Sequence, residues 1–230
     1  MIRSDVYNCD CVEYMRSLPD KTFDLAIADP PYGIKEDGKK NHSRGRLAKS
    51  QEYTPKDWDK EAMPKEFFDE IIRVSKNQII WGANHFISRI PYDSPCWIVW
   101  DKDNGATDFA DCELAWTSFK TAARKFKYKW QGMLQENMKN KERRIHPTQK
   151  PVSLYCWLLD NYAIGGGKIF DPMMGSQSSR VAAWKMGYDY VGCELDKEYF
   201  DKGCEWFDRE CRGVYKTADG GTMVQGSLFD

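Results

Sequence analysis

Seven short apolar runs alternate with five helical patterns along this chain, and that alternation limits its fold more than any other feature. The apolar runs fall near residues 6–8, 24–28, 78–81, 97–100, 113–117, 168–170 and 190–193. They are short and rich in Val, Ile, Phe and Trp, which suits buried strands rather than helices. Helical periodicity fills residues 11–18, 64–74, 152–162, 178–186 and 198–211, with Pro151 where a first helical turn tolerates it. Strands separated by helices pair in parallel through crossovers. The spacing therefore predicts an α/β fold with a doubly wound, mostly parallel, seven-stranded sheet. At 230 residues the chain suits a single domain spanning residues 1–230, with a core of ordinary size.

Two stretches interrupt the pattern. Residues 33–59 are polar, rich in Gly, Lys and Arg, and without period, which reads as a mobile basic loop. Residues 120–149 are basic with scattered aromatics, Phe126, Tyr128 and Trp130. The formal charge of the whole chain is −1, yet residues 35–49 carry +4 and residues 120–144 carry +7, which leaves −12 on the rest. Two basic segments on an acidic body suit a local contact with a polyanion, or two solvated loops. Residues 213–230 contain several glycines and read as a flexible tail.

The run at 24–28 leads into Asp29-Pro30-Pro31-Tyr32. An acid at the end of a parallel strand sits where open α/β sheets place their ligands. Two prolines fix φ twice and remove two N–H donors, so the neighbouring carbonyls become rigid acceptors. Carboxylate, fixed carbonyl and aromatic face together make a cradle for a planar amino group, such as the exocyclic amine of adenine or cytosine.

A second strand-to-helix junction follows Gly165-Gly166-Gly167, where the run at 168–170 meets Asp171-Pro172-Met173-Met174-Gly175-Ser176. A glycine turn here lets backbone approach a nucleoside-type ligand closely. The dinucleotide fingerprint G-x-G-x-x-G is absent. The next strand ends in Glu194, and an acid at that point of such a unit binds ribose hydroxyls. One half of the chain thus reads as a nucleoside-cofactor site and the other as an amine site.

Taken in order, these blocks resemble the adenosylmethionine-dependent amino-group DNA methyltransferases. The likeness is to the permuted subgroup, in which the catalytic tetrapeptide precedes the cofactor motif, and it covers nearly the whole chain. Asn8-Cys9-Asp10-Cys11 looks like the family's N-terminal cofactor segment, and Asp29-Pro30-Pro31-Tyr32 like its catalytic motif. His146-Pro147-Thr148-Gln149-Lys150-Pro151 is similar to a segment near the cofactor's methionine end. Asp171-Pro172-x-x-Gly175-Ser176 and Glu194-x-Asp196 are similar to the main cofactor motifs. The chain departs from the pattern at Met173, where the family carries an aromatic, and at Gln177, where it carries a second glycine. A Cβ at that second position resists positive φ.

The resemblance implies S-adenosyl-L-methionine as cofactor and double-stranded DNA as partner. Asp29 and the Pro30 carbonyl would accept the two hydrogens of the target amine, Pro31 would stiffen the turn, and Tyr32 would stack on a base flipped out of the duplex. Asp10 would meet the adenine edge of the cofactor, though it also reads as the N-cap of the first helix. Glu194 would hold the ribose, with Asp196 beside it. Asp171, Pro172, Gly175 and Ser176 would face the methionine part, and Thr148 and Lys150 its carboxylate. Lys150 reads equally as a solvated basic residue, and His146 as a turn residue.

Members of the family carry a recognition region between the two halves, for which residues 120–145 are available. Its Arg124, Lys125, Lys127, Lys129, Arg143 and Arg144, together with Lys39, Lys40, Arg44 and Arg46 of the earlier loop, are the candidate DNA contacts. Gln225, Leu228 and Phe229 near the end resemble a short peptide that docks on the replication sliding clamp. Within the family an Asp-first tetrapeptide leans to N6 of adenine, with N4 of cytosine as the alternative. A non-catalytic nucleic-acid-binding relative is the alternative of a different class.

The eight cysteines form no C-x-x-C pair, so no metal site is expected. No apolar stretch approaches membrane-spanning length and no signal-peptide pattern opens the chain, so a cytoplasmic setting is expected.

Overall fold

The computed structural model describes residues 2–34, 61–105, 110–131, 134–216 and 221–224. Its elements run β1 Ser4–Tyr7, α1 Cys11–Arg16, β2 Phe23–Ala28, α2 Lys65–Val74, β3 Ser75–Trp81, β4 Trp97–Asp101, β5 Cys112–Thr117 and β6 Arg124–Lys127. There follow β7 Trp130–Gln131, β8 Leu134–Gln135, α3 Val152–Tyr162, β9 Lys168–Asp171, α4 Ser178–Lys185, β10 Asp189–Cys193, α5 Lys197–Arg212, β11 Val214–Lys216 and β12 Thr222–Val224. All seven expected strands and all five expected helices are present.

The main sheet has eight strands in the order β1-β10-β9-β2-β3-β5-β4-β6. Only β5 runs against the rest, pairing antiparallel with both β3 and β4. The extra strand is β6, which pairs in parallel with β4 from Ile98↔Arg124 to Asp101↔Lys127. Its sequence Arg-Lys-Phe-Lys does not read as a strand because only Phe126 turns inward, where it packs against Trp157. The charged positions face solvent, as on many sheet edges. The expected recognition insertion therefore begins as the edge of the main sheet and continues as the small β7–β8 hairpin. Likewise the stretch after Gly213, expected to be a flexible tail, begins as the β11–β12 hairpin.

Helices cover both faces of the sheet. Leu25 and Ile27 of β2 point into a cluster with Leu154 and Leu158 of α3, Val181 and Ala182 of α4, and Trp206 and Phe207 of α5. Ala26 and Ala28 point the other way, toward Met15 of α1 and Phe67, Phe68 and Ile71 of α2. A central parallel strand buried on both sides reads as an unbroken apolar run, which is why β2 shows no polar alternation. No helix among the described residues is long and apolar enough to cross a membrane.

Chain direction changes at the centre of the sheet. The crossover after β2 leads to β3 on one side, and that after β9 leads to β10 on the other. The two strands pair directly, Leu25↔Ile169 and Ala26↔Phe170. Their carboxyl ends form the switch point, where the chain leaves a crevice.

Gln177 shows how the chain meets the missing glycine at this crevice. It adopts φ +65° as the N-cap of α4. Its buried side chain donates to the Phe200 carbonyl at 3.0 Å and accepts from Arg180 Nη1 at 2.8 Å. Those bonds offset the strain of a left-handed residue with a Cβ. Gly203 of α5 makes the room, since a Cβ there would lie 2.6 Å from Gln177 side-chain atoms. Gly203→Ala is expected to lower stability by about 1–3 kcal/mol despite the better helix propensity of alanine. Calorimetric melting checks this, and an unchanged or raised Tm would show that Gln177 is free to move.

Candidate active site

A cavity of about 690 Å³ opens at the switch point. Four strand ends build it: Cys9, Asp10 and Cys11 after β1, Asp29 and Pro31 after β2, Pro172 to Ser176 after β9, and Glu194 to Lys197 after β10. The loop before α3 adds His146, Thr148, Gln149 and Lys150, while Tyr155 and Tyr199 close the wall from α3 and α5. The volume lies in the range of small-molecule sites.

On the β9/β10 side, backbone amides fix the acids. Glu194 accepts from Gly175 N–H at 2.8 Å through Oε2 and from Asp196 N–H at 2.9 Å through Oε1. It thereby ties the two loops together and still lines the cavity. Gly175 has φ +49° and lies against the His146 ring. Asp196 caps α5 by accepting from the Glu198 and Tyr199 amides. Asp10 caps α1, accepting from Val12 N–H at 2.8 Å and Glu13 N–H at 3.0 Å, and it also lines the cavity.

Asp171 departs from expectation, because it is not part of the cavity wall. Its carboxylate turns into the protein, accepting from Met173 N–H at 3.0 Å and from the Ser179 hydroxyl at 2.5 Å. It braces the loop from within. Burial pushes its carboxyl up to about 7, against the pull of those two donors.

On the β2 side the charges are crowded. Asp29 accepts from the Tyr32 hydroxyl at 2.8 Å through Oδ1, and its Oδ2 lies 2.6 Å from Lys150 Nζ. Lys150 is therefore no solvated surface residue, and it is ion-paired across the site rather than free for a ligand carboxylate. Its Nζ also lies 3.0 Å from Glu113 Oε2, and Lys102 bonds the other oxygen of Glu113. Burial would push Glu113 up, but two flanking ammoniums outweigh it and hold the carboxyl at about 2. Asp29 has one ammonium partner, and burial together with the Glu113 charge pushes its carboxyl up. Burial would lower Lys150, but its two carboxylates keep it raised and charged.

Tyr32 lies behind Asp29, with its ring stacked on His85 at 5.0 Å and 14°. Gly82, at φ +67°, packs on that ring so closely that a Cβ would fall 2.0 Å from a ring carbon. Pro30 is buried in the same turn.

Glu113 escaped the sequence reading. The signal was an acid at the start of an apolar run, but only the reversed direction of β5 brings that start to the carboxyl ends of its neighbours. Tyr155 also lines the cavity unforeseen, and His146, read as a turn residue, lines it too. His146 accepts from the Thr148 amide at 3.3 Å and holds the turn before Lys150.

The candidate DNA contacts are less crowded. Arg124, Lys125, Lys127 and Arg143 are exposed. Lys127 and Lys129 pair with Asp103 at 2.9 and 3.4 Å, and Lys125 with Asp101 at 3.5 Å. Arg144 donates to the Pro147 carbonyl at 2.6 Å and lies over the Trp130 ring. Lys39, Lys40, Arg44, Arg46, Gln225, Leu228 and Phe229 lie outside the described residues.

The family model described as DNA methylase matches residues 97–205. That match takes in just under half of the chain. Among curated relatives it is 26% identical to the type II methyltransferase M.HinfI of Haemophilus influenzae, over 84% of this chain and 65% of that protein. It is 25% identical to the type II methyltransferase M2.MboI of Moraxella bovis, over 86% and 85%. The chain thus spans just under two thirds of the length of the Haemophilus relative. The solved complex of M1.HpyAVI with SAM superimposes with a TM-score of 0.58 at 21% identity, covering 90% of this chain and all of that one, which shows a shared fold.

The raised Asp171 has a consequence for stability. Its folded value, about 7, lies above its unfolded value, so its contribution is complete below about pH 4 and is lost as pH rises through about 7. Asp171→Asn removes that loss. The stability of the variant relative to the parent is expected to rise between pH 5 and pH 8, by at most about 1.4 kcal/mol per pH unit. Urea unfolding at the two pH values checks it, and a difference independent of pH would contradict a buried carboxyl of raised affinity for protons.

Proposed function

We propose that this chain is a DNA methyltransferase that methylates the exocyclic N6 of an adenine flipped out of double-stranded DNA, with S-adenosyl-L-methionine as donor. The observation that carries the reading is the shared cavity. Asp29 and Pro31 on one wall face Gly175, Glu194 and Asp10 on the other, because β2 and β9 are hydrogen-bonded neighbours. The names of the relatives, type II methyltransferases, support the same activity.

The residues fit the donor. Glu194 lines the cavity with its carboxylate oriented by two amides, which suits it to ribose hydroxyls. Asp10 can meet the adenine edge, and Met173, Met174 and Leu195 give the cavity apolar surface for the purine. Pro172, Gly175, Ser176 and Thr148 border the remaining volume, and Asp171 serves from behind by holding the loop. When bound, the donor supplies an electrophilic methyl group on a sulfonium.

The chain's own work falls on the amine. An exocyclic amine delocalises its lone pair into the ring and is a poor nucleophile. Asp29, accepting one N–H, and the Pro30 carbonyl, accepting the other, favour a more tetrahedral nitrogen whose lone pair leaves the ring plane. They also stabilise the positive charge that grows on that nitrogen. Positioning supplies the rest. Pro31 stiffens the turn, and Tyr32, backed by Gly82 and His85, supplies an aromatic surface beside the base. The exposed Arg124, Lys125, Lys127 and Arg143 suit phosphate contacts. The preference for adenine over cytosine N4 rests on the aspartate that opens the tetrapeptide.

The test is incubation of the protein with labelled donor and unmethylated bacterial DNA, followed by nucleoside analysis. N6-methyladenine is expected, N4-methylcytosine would move the target to the other base, and no labelled nucleoside would refute the reading. Asp29→Ala is expected to lower transfer at least about 100-fold while keeping donor binding by calorimetry. Glu194→Ala is expected to weaken donor binding by about 10- to 100-fold. The reverse pattern would mean that the two walls have been assigned the wrong way round.

A further inference from the structure

The Lys150 ammonium, in a side chain only 3% exposed, sits between two carboxylates, 2.6 Å from Asp29 and 3.0 Å from Glu113. Its third neighbour is the Tyr32 hydroxyl at 3.3 Å. Lys102 closes the chain on the far oxygen of Glu113. Two acids and two ammoniums make a neutral, largely buried row that runs from the cavity wall through β5 to the residue that follows β4.

This arrangement bears on how Asp29 receives an amine. One of its oxygens already accepts from Tyr32 and the other from Lys150. If Asp29 were the only acid beside Lys150, the ammonium would be held on it, and drawing Asp29 toward an incoming N–H would leave a buried charge unpaired. Such a charge is costly. Glu113 offers that ammonium a second seat a short distance away, and Lys102 keeps Glu113 ionised from behind.

We propose that Glu113 is a positioning residue that acts through Lys150: it takes up the ammonium when Asp29 turns to accept the target amine. The proposal rests on the methyltransferase reading above and deepens it. Glu113 touches neither base nor donor. It sets where Lys150 stands, and Lys150 sets how freely Asp29 can accept.

The experiment compares the full-length protein with Glu113→Gln and Glu113→Asp. Single-turnover methylation of unmethylated DNA is followed across pH, with donor affinity by calorimetry and Tm as controls. The titratable groups facing Asp29 are Lys150, Glu113 of β5, Tyr32 of its own loop, Tyr155 of α3 and Asp171 of β9. Of these only Glu113 changes. Glu113→Gln is expected to slow transfer by about 10- to 100-fold, with donor affinity within about twofold. The acid limb of its rate profile moves to lower pH, since a like charge beside Asp29 is gone. Glu113→Asp restores part of the rate. A rate within about twofold of the parent overturns the proposal. So does a loss of rate that follows Tm in both variants with the acid limb unmoved, which marks a merely structural role.

A separate readout isolates this claim from the activity itself. A buried, ion-paired ammonium exchanges its protons slowly, so Lys150 should give a protected nitrogen-15 resonance in the parent that is weakened in Glu113→Gln. If the parent methylates nothing, the methyltransferase reading fails, and the resonance still decides whether Glu113 holds Lys150. Equal protection in both proteins overturns the pairing.

Discussion

The parallel pairing of β2 with β9 is the contact on which the site depends. Two residue pairs, Leu25↔Ile169 and Ala26↔Phe170, join strands whose crossovers leave in opposite directions. A crevice at that point follows from topology alone, because no connection covers it. Asp10, Asp29, Gly175 and Glu194 all hang from the ends of these strands or of their neighbours β1 and β10, and the loop before α3 brings Lys150 to them. Residues 142 positions apart, Asp29 and Asp171, become neighbours in this way without any loop having to reach across.

Within that crevice the two sides solve different problems. The β9/β10 side orders polar backbone: Glu194 and Asp171 each accept two donors, so the loops that face the cavity are held by carboxylates at fixed angles. The β2 side stores charge. Burying Asp29, Glu113 and Lys150 together carries a large desolvation cost, and well-packed apolar residues would serve stability as well or better. A charged row retained in such a place is the mark of a site built for electrostatics rather than for stability. Its division into one acid with two ammoniums and one acid with a single ammonium leaves Asp29 as the carboxylate that is easier to neutralise.

Much of this was legible in the chain. Central strands such as β2 announce themselves because burial on both faces leaves an apolar run. Tetrapeptide and glycine junction could be placed at strand ends from those runs alone. β6 was hidden because an edge strand exposes three of four side chains, and Arg-Lys-Phe-Lys looks like loop. Glu113 was hidden for a different reason: strand direction is a property of pairing, not of sequence, and only the reversal of β5 carries that acid to the functional edge. Lys150 could be placed near the site but not paired, since its partners lie 121 and 37 positions away and neither spacing is periodic. The Asp10 cap was legible because an aspartate directly before a helical pattern is a preferred N-cap, and a cap can also stand on a cavity wall. Gln177 shows the converse, a local rule broken and then met by buried hydrogen bonds, one with Arg180 of the helix it caps and one with the Phe200 carbonyl of the next helix.

The most direct measurement is a crystal structure of the protein with S-adenosyl-L-methionine. The account predicts the nucleoside beside Asp10 and Glu194, with the sulfonium methyl directed toward the Asp29 carboxylate across the β2/β9 crevice. Density for the donor at any other place on the molecule, or a methyl group turned away from Asp29 with protein between them, would contradict it.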